Sequence, residues 1–289
     1  MDEVPQKTID SFRELQEFLQ NTGSKFYYRG MASVDWRLMT SVDRLIKRIQ
    51  KNNDNLLLSE TNQNVFAEIA AQEYFINKYS DELNQLVGKS TADAFRIDED
   101  TFLKLPVILQ HYRYPTRIQD WTTDWKIALF FCLEDENEFG DIALWLLRKD
   151  KILDIKSCLK NDEYLYPIEM GKHNIISSFY LRLKPGIYKI EENFFKRIKA
   201  QKGIALTTGR ADYMDFQQHV MNARGITSSD VIKININRIL RSEIKDYLVS
   251  KGINEYVLFP KDIRDEYINN DKLGIEEFMH KLYPNGKIF

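Results

Sequence analysis

The sequence predicts an α+β fold, because strand-like and helix-like segments mix along the chain without a regular strand–helix–strand alternation. The segment DIALWLL, residues 141–147, is too apolar to be half-exposed and predicts a central strand. Residues 11–22 instead carry an apolar stripe with helical spacing. We find no internal repeat and no domain boundary, so we expect one domain over residues 1–289.

The first helix is predicted over residues 11–22 and is ended by Gly23. Ser11 and Glu14 have the spacing of a capping box. The apolar stripe consists of Phe12, Leu15, Phe18 and Leu19. A short aromatic strand, KFYYRG, follows this helix and is closed by a glycine.

Later elements follow from the same periodicities. Helices are predicted over residues 65–87, over 101–112 with a kink at Pro106, over 238–251 and in the tail. Strands are predicted near residues 203–208, 231–236 and 255–259. Asn237 can cap the helix over 238–251, and Gly252 ends it.

Composition excludes several classes of protein. The chain has 289 residues, 43% of them hydrophobic, and a net charge of −2, so no overall basic field indicates nucleic acid or an anionic membrane. Two cysteines make no disulfide framework, and Cys132 is predicted to be a buried thiol, so we expect a reducing, cytoplasmic location. The start shows no signal peptide, and the longest apolar run, residues 127–133, is too short to span a membrane.

Familiar catalytic signatures are missing from the sequence. It contains no GxGxxG, GxxxxGK[ST], HExxH or GxSxG pattern. The four histidines lack the spacing of metal ligands, and we expect no metal site. The four are His111, His173, His219 and His280.

The segment LQHYRYPTRIQDWTTDWKIALFF, residues 109–131, concentrates polar groups next to an apolar run. Arg117 and Asp120 are three residues apart and could pair on one helical turn, and Trp121 and Trp125 could share a face. In one interpretation this pair is structural and joins helix to sheet. In the other, Gln110, Thr116 and Arg117 line the rim of a pocket, and a helix that begins near Thr122 offers free N–H groups to a ligand.

Two further segments allow the same pair of interpretations. Arg29 ends the aromatic strand next to Gly30, where it could bind an anionic ligand or pair with Asp35 or Asp120 to close a turn. Gly30 permits a close backbone approach or a positive φ. In residues 194–209, Gln201 could be a hydrogen-bonding group at a strand mouth, or the segment could be a solvated helix face before a strand. The basic residues there are Lys196, Arg197, Lys199 and Lys202.

In this order, the three segments resemble the FRG-domain family. The central signature QH-x-x-x-PTR-x-x-DWT, followed by an apolar helix, is matched by the 109–131 segment. The matching residues are Gln110, His111, Pro115, Thr116, Arg117, Asp120, Trp121, Thr122, Ala128, Leu129 and Phe131. Arg29-Gly30 matches an earlier arginine-glycine motif, and a later R-x-x-x-Q-x-G element is matched by Arg197, Gln201 and Gly203. The resemblance covers about residues 10–210, with residues 211–289 expected as an α/β extension packed on this core.

The resemblance implies a split antiparallel or mixed sheet with helical inserts, distantly similar to the ADP-ribosyltransferase fold. It implies ADP-ribose transfer from NAD, without a metal, to a macromolecule such as RNA or a translation component. It further implies a bacterial toxin or phage-defence effector, with an antitoxin or chaperone protein as a possible partner. The alternative is a non-catalytic FRG domain that binds a nucleotide or a partner protein.

The same resemblance assigns roles to individual residues. Arg29 would hold the NAD phosphates beside Gly30, and Tyr28 or Tyr112 would stack on a ring. Thr116 or Thr122 would take the position of a strand hydroxyl, and Gln201 would orient the ribose. The other residues expected at the cofactor are Gln110, His111, Arg117, Asp120 and Trp121. There is no clean S-T-S pattern, and Gln201 is followed by Lys202 and Gly203 with no glutamate two positions on, so Asp120 would either hold Arg117 or supply the missing carboxylate.

Overall fold

The computed structural model describes residues 4–52, 107, 109–111, 114–135, 140–159, 186–190, 196–208, 215–223 and 225–260. The described strands are β1 (Gln6–Ile9), β2 (Phe26–Met31), β3 (Ile118–Thr122), β4 (Ile142–Arg148), β5 (Leu153–Asp154), β6 (Ile187–Ile190), β7 (Gly203–Thr208) and β8 (Val231–Ile236). The described α-helices are α1 (Phe12–Thr22), α2 (Ser41–Asn52), α3 (Trp125–Cys132), α4 (Ile155–Leu159), α5 (Lys196–Ala200), α6 (Phe216–Asn222), α7 (Arg241–Ser250) and α8 (Glu255–Leu258).

The eight described strands form one open, mixed sheet in the order β1-β8-β4-β2-β3-β7-β6-β5. The outer pairs, β1 with β8 and β5 with β6, are parallel. All other neighbours in this sheet are antiparallel. The mixed α+β class predicted from the sequence is therefore confirmed.

The predicted central strand DIALWLL forms β4, which is buried on both faces. Successive side chains of a strand point to opposite faces, so β4 contributes to two cores. Leu144 and Leu146 pack with residues of α1, α3 and α7 on one face. Trp145 and Leu147 pack on the other face with a cluster that includes Phe216 of α6.

The first helix forms as predicted, but its predicted capping box does not. Ser11 occupies the N-cap position with extended backbone, yet its side chain makes no capping hydrogen bond. The buried side of α1 includes the predicted residues Phe12, Leu15 and Leu19. Gly23 ends the helix at a φ of 57°, a conformation that side chains rarely adopt.

Of the chain beyond residue 210, which the sequence predicted as an extension packed on the core, the described part contributes a strand to the sheet. Strand β8 lies between β1 and β4, with Ile234 fully buried. Asn237 caps a 3₁₀ turn, Arg238–Leu240, that leads into α7, and Gly252 follows this helix at a φ of 68°.

The strand predicted over residues 255–259 is wrong, because this segment forms the short helix α8. The Asn254 side chain caps α8 by accepting a hydrogen bond from the Val257 amide. The predicted helix over residues 65–87, most of that over 101–112, and the tail beyond residue 260 lie outside the described residues.

The sheet has a seam between β2 and β3. These strands are joined by a single residue pair, Tyr28 with Thr122. By comparison, β2 and β4 share six pairs, and β3 and β7 share five. Apart from Tyr28 and Thr122, the described residues of β2 and β3 do not pair with each other. This leaves space between the two halves of the sheet.

Among the described helices, none has both the length and the apolar character needed to cross a membrane.

Candidate functional site

A cavity of about 990 Å³ lies at the seam between β2 and β3. One wall comes from β2, the loop after it and α2, and the opposite wall comes from β3 and the turn before β7. Residues of α3, α5 and β7, the segment before β3 and Phe259 also contribute to the lining. Polar and charged groups line this cavity together with aromatic rings, which suits a ligand that carries both charge and flat apolar surface.

Arg29 forms part of the cavity wall on β2. Its Nη1 donates a hydrogen bond to the main-chain carbonyl of Asp120 across the seam. Its Nε is buried and has no hydrogen-bond partner among the described residues. A buried N–H without an acceptor is costly, so the described residues leave this guanidinium incompletely satisfied. One interpretation of the sequence paired Arg29 with a carboxylate to close a turn. Among the described residues, Arg29 forms no such ion pair.

The charge of Arg29 lies in a partly desolvated setting. Burial lowers the pKa of Arg29 to about 10, Asp120 opposes this shift, and the positive charge of Arg44 adds to it. The group remains a cation near neutral pH. An anion placed beside it would remove the cost of this burial.

Gly30 is required by a close backbone approach and not by a positive φ. A Cβ at this position would lie 1.9 Å from the carbonyl oxygen of Ala128 and 2.8 Å from the Cys132 amide nitrogen. Both atoms belong to the backbone of α3. Gly30 therefore lets α3 lie directly against β2 beside the cavity.

A second cation, Arg44 of α2, faces the same cavity. Its Nη1 donates a hydrogen bond to the Met39 carbonyl, and desolvation lowers its pKa. Nothing in the sequence spacing singled out Arg44, which lies 15 positions after Arg29 on another element.

The loop after β2 is fixed in place and presents an indole. Arg37 donates two hydrogen bonds to the Asp215 carboxylate, and Gln217 binds both backbone groups of Leu38. Trp36 lies on this loop, is 42% exposed and lines the cavity. It is the described aromatic side chain most accessible to a stacked ring on this wall.

Asp120 lines the opposite wall as part of a hydrogen-bonded chain. Its Oδ2 accepts from Gln110 Nε2 at 2.7 Å, and Gln110 Oε1 accepts from the Thr116 hydroxyl at 2.5 Å. The Thr116 amide donates to Ser41 Oγ at 2.9 Å. Thr116 itself is fully buried and does not lie on the cavity rim, contrary to the sequence interpretation.

The proposed Arg117–Asp120 pair on a helical turn is wrong, because residues 118–122 form strand β3. Arg117 is buried and donates to both the carbonyl and the hydroxyl of Thr208 on the neighbouring strand. It contributes no surface to the cavity. The two indoles do not share a face either, since Trp121 and Trp125 pack in the cores on opposite faces of the sheet.

Tyr28 is 1% exposed, and its hydroxyl makes hydrogen bonds with Thr22 Oγ1 at 2.7 Å and the Gly23 carbonyl at 3.1 Å. Tyr28 also contributes to the cavity lining, but its ring lies in the core and is too buried to stack on a ligand. Tyr112, the alternative residue, lies outside the described residues.

The helix that follows β3 begins later than the sequence predicts. Thr122 ends the strand and donates to the Gln201 carbonyl, and α3 starts at Trp125. Asp124 is its N-cap, accepts from the Lys126 amide and also forms an ion pair with Lys202. The Asp124 carboxylate therefore already accepts a hydrogen bond at the N-terminal end of α3, where the sequence predicted N–H groups free to bind a ligand.

Gln201 lines the cavity just before β7, as expected for a strand mouth. Its Nε2 donates to the Leu258 carbonyl at 3.1 Å, which ties it to α8. Arg197 donates to the His111 carbonyl at 2.5 Å, and both residues also line the cavity. His111 is itself buried.

These features define an α+β protein with an arginine-walled cavity at a seam in its sheet. Residues 24–141 match the family model of the FRG domain, the family that the sequence motifs resemble. The matched segment includes β2, α2, β3 and α3, hence Arg29, Arg44 and Asp120, but not Gln201. No curated protein and no solved structure gives a significant match.

Within the described part of the chain, no group of three or more His, Cys, Asp or Glu side chains is arranged to hold a metal ion.

Proposed function

We propose that this protein binds NAD at the seam cavity and transfers ADP-ribose from it to a macromolecular acceptor. The observation that carries this proposal is the Arg29 guanidinium, which lines the cavity with a buried and unsatisfied Nε. A diphosphate oxygen is an acceptor that a guanidinium binds well, through charge-assisted hydrogen bonds.

The second cation strengthens the case for a multiply charged ligand. Burial is the main cause of the lowered pKa of Arg29, and the positive charge of Arg44 also lowers it, so the two guanidinium groups lie close enough to repel each other. A diphosphate carries two negative charges and would relieve this repulsion. A ligand with a single charge or none would leave part of it uncompensated.

Size and shape also favour a dinucleotide. The cavity volume of about 990 Å³ is at the upper end of the range for small-molecule sites, about 300–1,000 Å³. We assign the stacking role expected of Tyr28 to Trp36, which lies on the same wall as Arg44. The single-pair seam supports a split sheet of the kind expected for an ADP-ribosyltransferase-like fold.

We further propose that the acceptor is RNA or a translation component. Lys196 and Lys199 are exposed on α5, the helix that also presents Arg197 and Ile198 to the cavity. Cations at the mouth of such a site favour an acceptor with a phosphate backbone. This fits a cytoplasmic toxin or phage-defence effector, held in check by an antitoxin or chaperone protein.

One observation favours the alternative of a non-catalytic nucleotide-binding domain. Gln201, which would orient the ribose, is a neutral amide already bound to the Leu258 carbonyl. A neutral amide stabilises a developing positive charge less than a carboxylate does. In that case NAD or another nucleotide would bind without being consumed.

Transfer from labelled NAD tests the proposal. Purified protein is incubated with NAD labelled in the adenylate phosphate and with separated RNA and protein fractions of a cell extract. We expect label in RNA or in a translation component. We expect Arg29→Ala to lower transfer at least about 100-fold, and Arg29→Lys to restore little because it lacks the guanidinium fork.

Arg13→Ala is the matched control, since Arg13 lies on the exposed side of α1 in an ion pair with Glu17. This variant should transfer label at the wild-type rate. NAD binding by calorimetry without any transfer would favour the non-catalytic alternative. Absence of both binding and transfer would reject the proposal.

A further inference from the structure

We infer that the Asp120 carboxylate is the catalytic group of the proposed transfer, with Gln110 and Thr116 as its positioning residues. This inference rests on the proposed function. It replaces the roles that the sequence gave to Thr116 and Gln201, because one is buried and the other is bound to Leu258.

The first argument is the way in which Asp120 is held. Gln110 uses both ends of its amide, donating to Asp120 Oδ2 and accepting from the Thr116 hydroxyl. Because a carboxylate oxygen can only accept, the Gln110 amide nitrogen faces Asp120 and its oxygen faces the Thr116 hydroxyl. Thr116 is in turn held through its backbone amide by Ser41 at the start of α2. The result is a carboxylate oriented through one oxygen only. No described residue donates a hydrogen bond to the other oxygen, Oδ1, and the side chain is exposed at the cavity.

The second argument is the position of Asp120 relative to Arg29. The guanidinium donates to the main-chain carbonyl of Asp120, so the side chain of this residue is not used up in an ion pair with Arg29. The Arg29 guanidinium and the Asp120 carboxylate are therefore both held at fixed positions relative to the backbone of Asp120. A ligand whose diphosphate binds Arg29 would place its adjoining ribose within reach of this wall of the cavity.

Other candidates in the cavity are less suited. Asp35 is on the loop after β2, where its electrostatic partner is Lys233. Glu134 follows α3 and already has another interaction. Asp120 alone among these three is carried by β3, directly across the seam from Arg29.

The chemistry requires a negative group at the ribose. The bond between C1′ and the nicotinamide nitrogen breaks, and its electron pair leaves with nicotinamide. Positive charge develops on C1′ and the ring oxygen, where a fixed carboxylate stabilises it. An acceptor oxygen or nitrogen then bonds to C1′ and gives up its proton to water, so that ADP-ribosyl acceptor, nicotinamide and one proton are formed.

The test compares NAD binding with transfer in Asp120→Asn. This substitution keeps the shape and the acceptor for Gln110 but removes the charge. We expect the Kd for NAD, from calorimetry, to change by less than about threefold, and the rate of transfer to fall at least about 100-fold. Asp150→Asn, which removes an exposed carboxylate that pairs with Arg148 outside the cavity, should transfer at the wild-type rate.

Two further variants separate a catalytic role from a structural one. Gln110→Ala should lower kcat about tenfold with little change in KM, because it loosens the carboxylate without removing it. Asp120→Ala should regain part of its activity when formate is added. This rescue decides the question if Asp120→Asn is poorly folded.

The outcomes are distinct. Wild-type transfer rates in Asp120→Asn, or equal losses of binding and transfer, would overturn the catalytic role while the proposed function stands. Failure of formate to rescue Asp120→Ala would also count against it. If the wild-type protein transfers no ADP-ribose, the proposed function fails and the inference falls with it.

Discussion

His219 lies buried on α6 near the buried Arg117. Burial, with a smaller contribution from the charge of Arg117, lowers the pKa of His219 to about 4, and Asp215 opposes this shift. The folded protein therefore keeps this imidazole neutral where the unfolded chain, with an ordinary pKa of about 6.5, begins to protonate it.

This difference predicts acid sensitivity. The unfolded state binds more protons below pH 6.5, so the free energy of unfolding should decrease as the pH falls from 6.5 to 4, by about 3 kcal/mol in all from this group. The measurement is urea unfolding at several pH values in wild-type protein and in His219→Gln. Because all other groups are common to both proteins, the difference between the two curves isolates His219. Parallel curves would contradict the prediction.

Residue-scale predictions from the sequence succeeded where local chemistry was enough. Cys132 is buried, and burial raises its pKa to about 12, as the surrounding apolar run indicated. The placement of Arg29 beside Asp120 joins residues 91 positions apart, and no local pattern specifies such a contact. Arg44 and Trp36 were missed for the same reason, since only the packing of α2 and its preceding loop brings them to the cavity.

At the scale of elements, the contact between β2 and α3 depends on the absence of a side chain at Gly30. An added Cβ would meet backbone atoms of Ala128 and Cys132, which cannot rotate away. We expect Gly30→Ala to lower the free energy of unfolding by roughly 3 kcal/mol, the upper end of the usual cost of overpacking. Urea unfolding measures this change.

Gly140→Ala is the matched control for this substitution. A Cβ at Gly140 meets no atom within 4 Å, and the residue is exposed before β4. Its free energy of unfolding should stay within about 0.5 kcal/mol of the wild type. Equal effects of the two substitutions would show that close packing of α3 is not what requires a glycine at position 30.

The elements that the sequence predicted well are those with strong local patterns. Strands β7 and β8 occupy the predicted residues 203–208 and 231–236, because short apolar runs between turns have few alternatives. Strand β3 was misread because its polar residues and the threonines after them resemble a helix start. For α8, the aromatic and β-branched residues favoured a strand, while the capping residue Asn254 was the overlooked helix signal.

At the scale of the whole molecule, the described part of the segment that matches the FRG domain lacks the main pairing partners of its own strands. It contains β2 and β3 but ends at residue 141, one residue before β4. The partners that pair most extensively with these two strands, β4 and β7, lie outside it. Each strand would thus keep only its single-pair contact with the other.

We therefore expect a fragment of residues 24–141 to lack cooperative unfolding, because strands without partners expose their backbone and apolar faces. Near-ultraviolet circular dichroism and urea titration test this expectation. Residues 4–260 retain every described strand and should unfold in one transition. A cooperative transition in the short fragment would contradict the role given to β4 and β7.

Because the cavity lies at the seam, its two walls belong to different halves of the sheet. Arg29 and Trp36 lie on one wall, and Asp120 and Gln201 lie on the other. A molecule that contacts both walls binds only the folded chain, because the two walls come together only in the folded state. By mass action such a molecule raises the melting temperature, by an amount set by its concentration relative to its Kd. Candidate nucleotides can therefore be ranked by thermal shift before any acceptor is known.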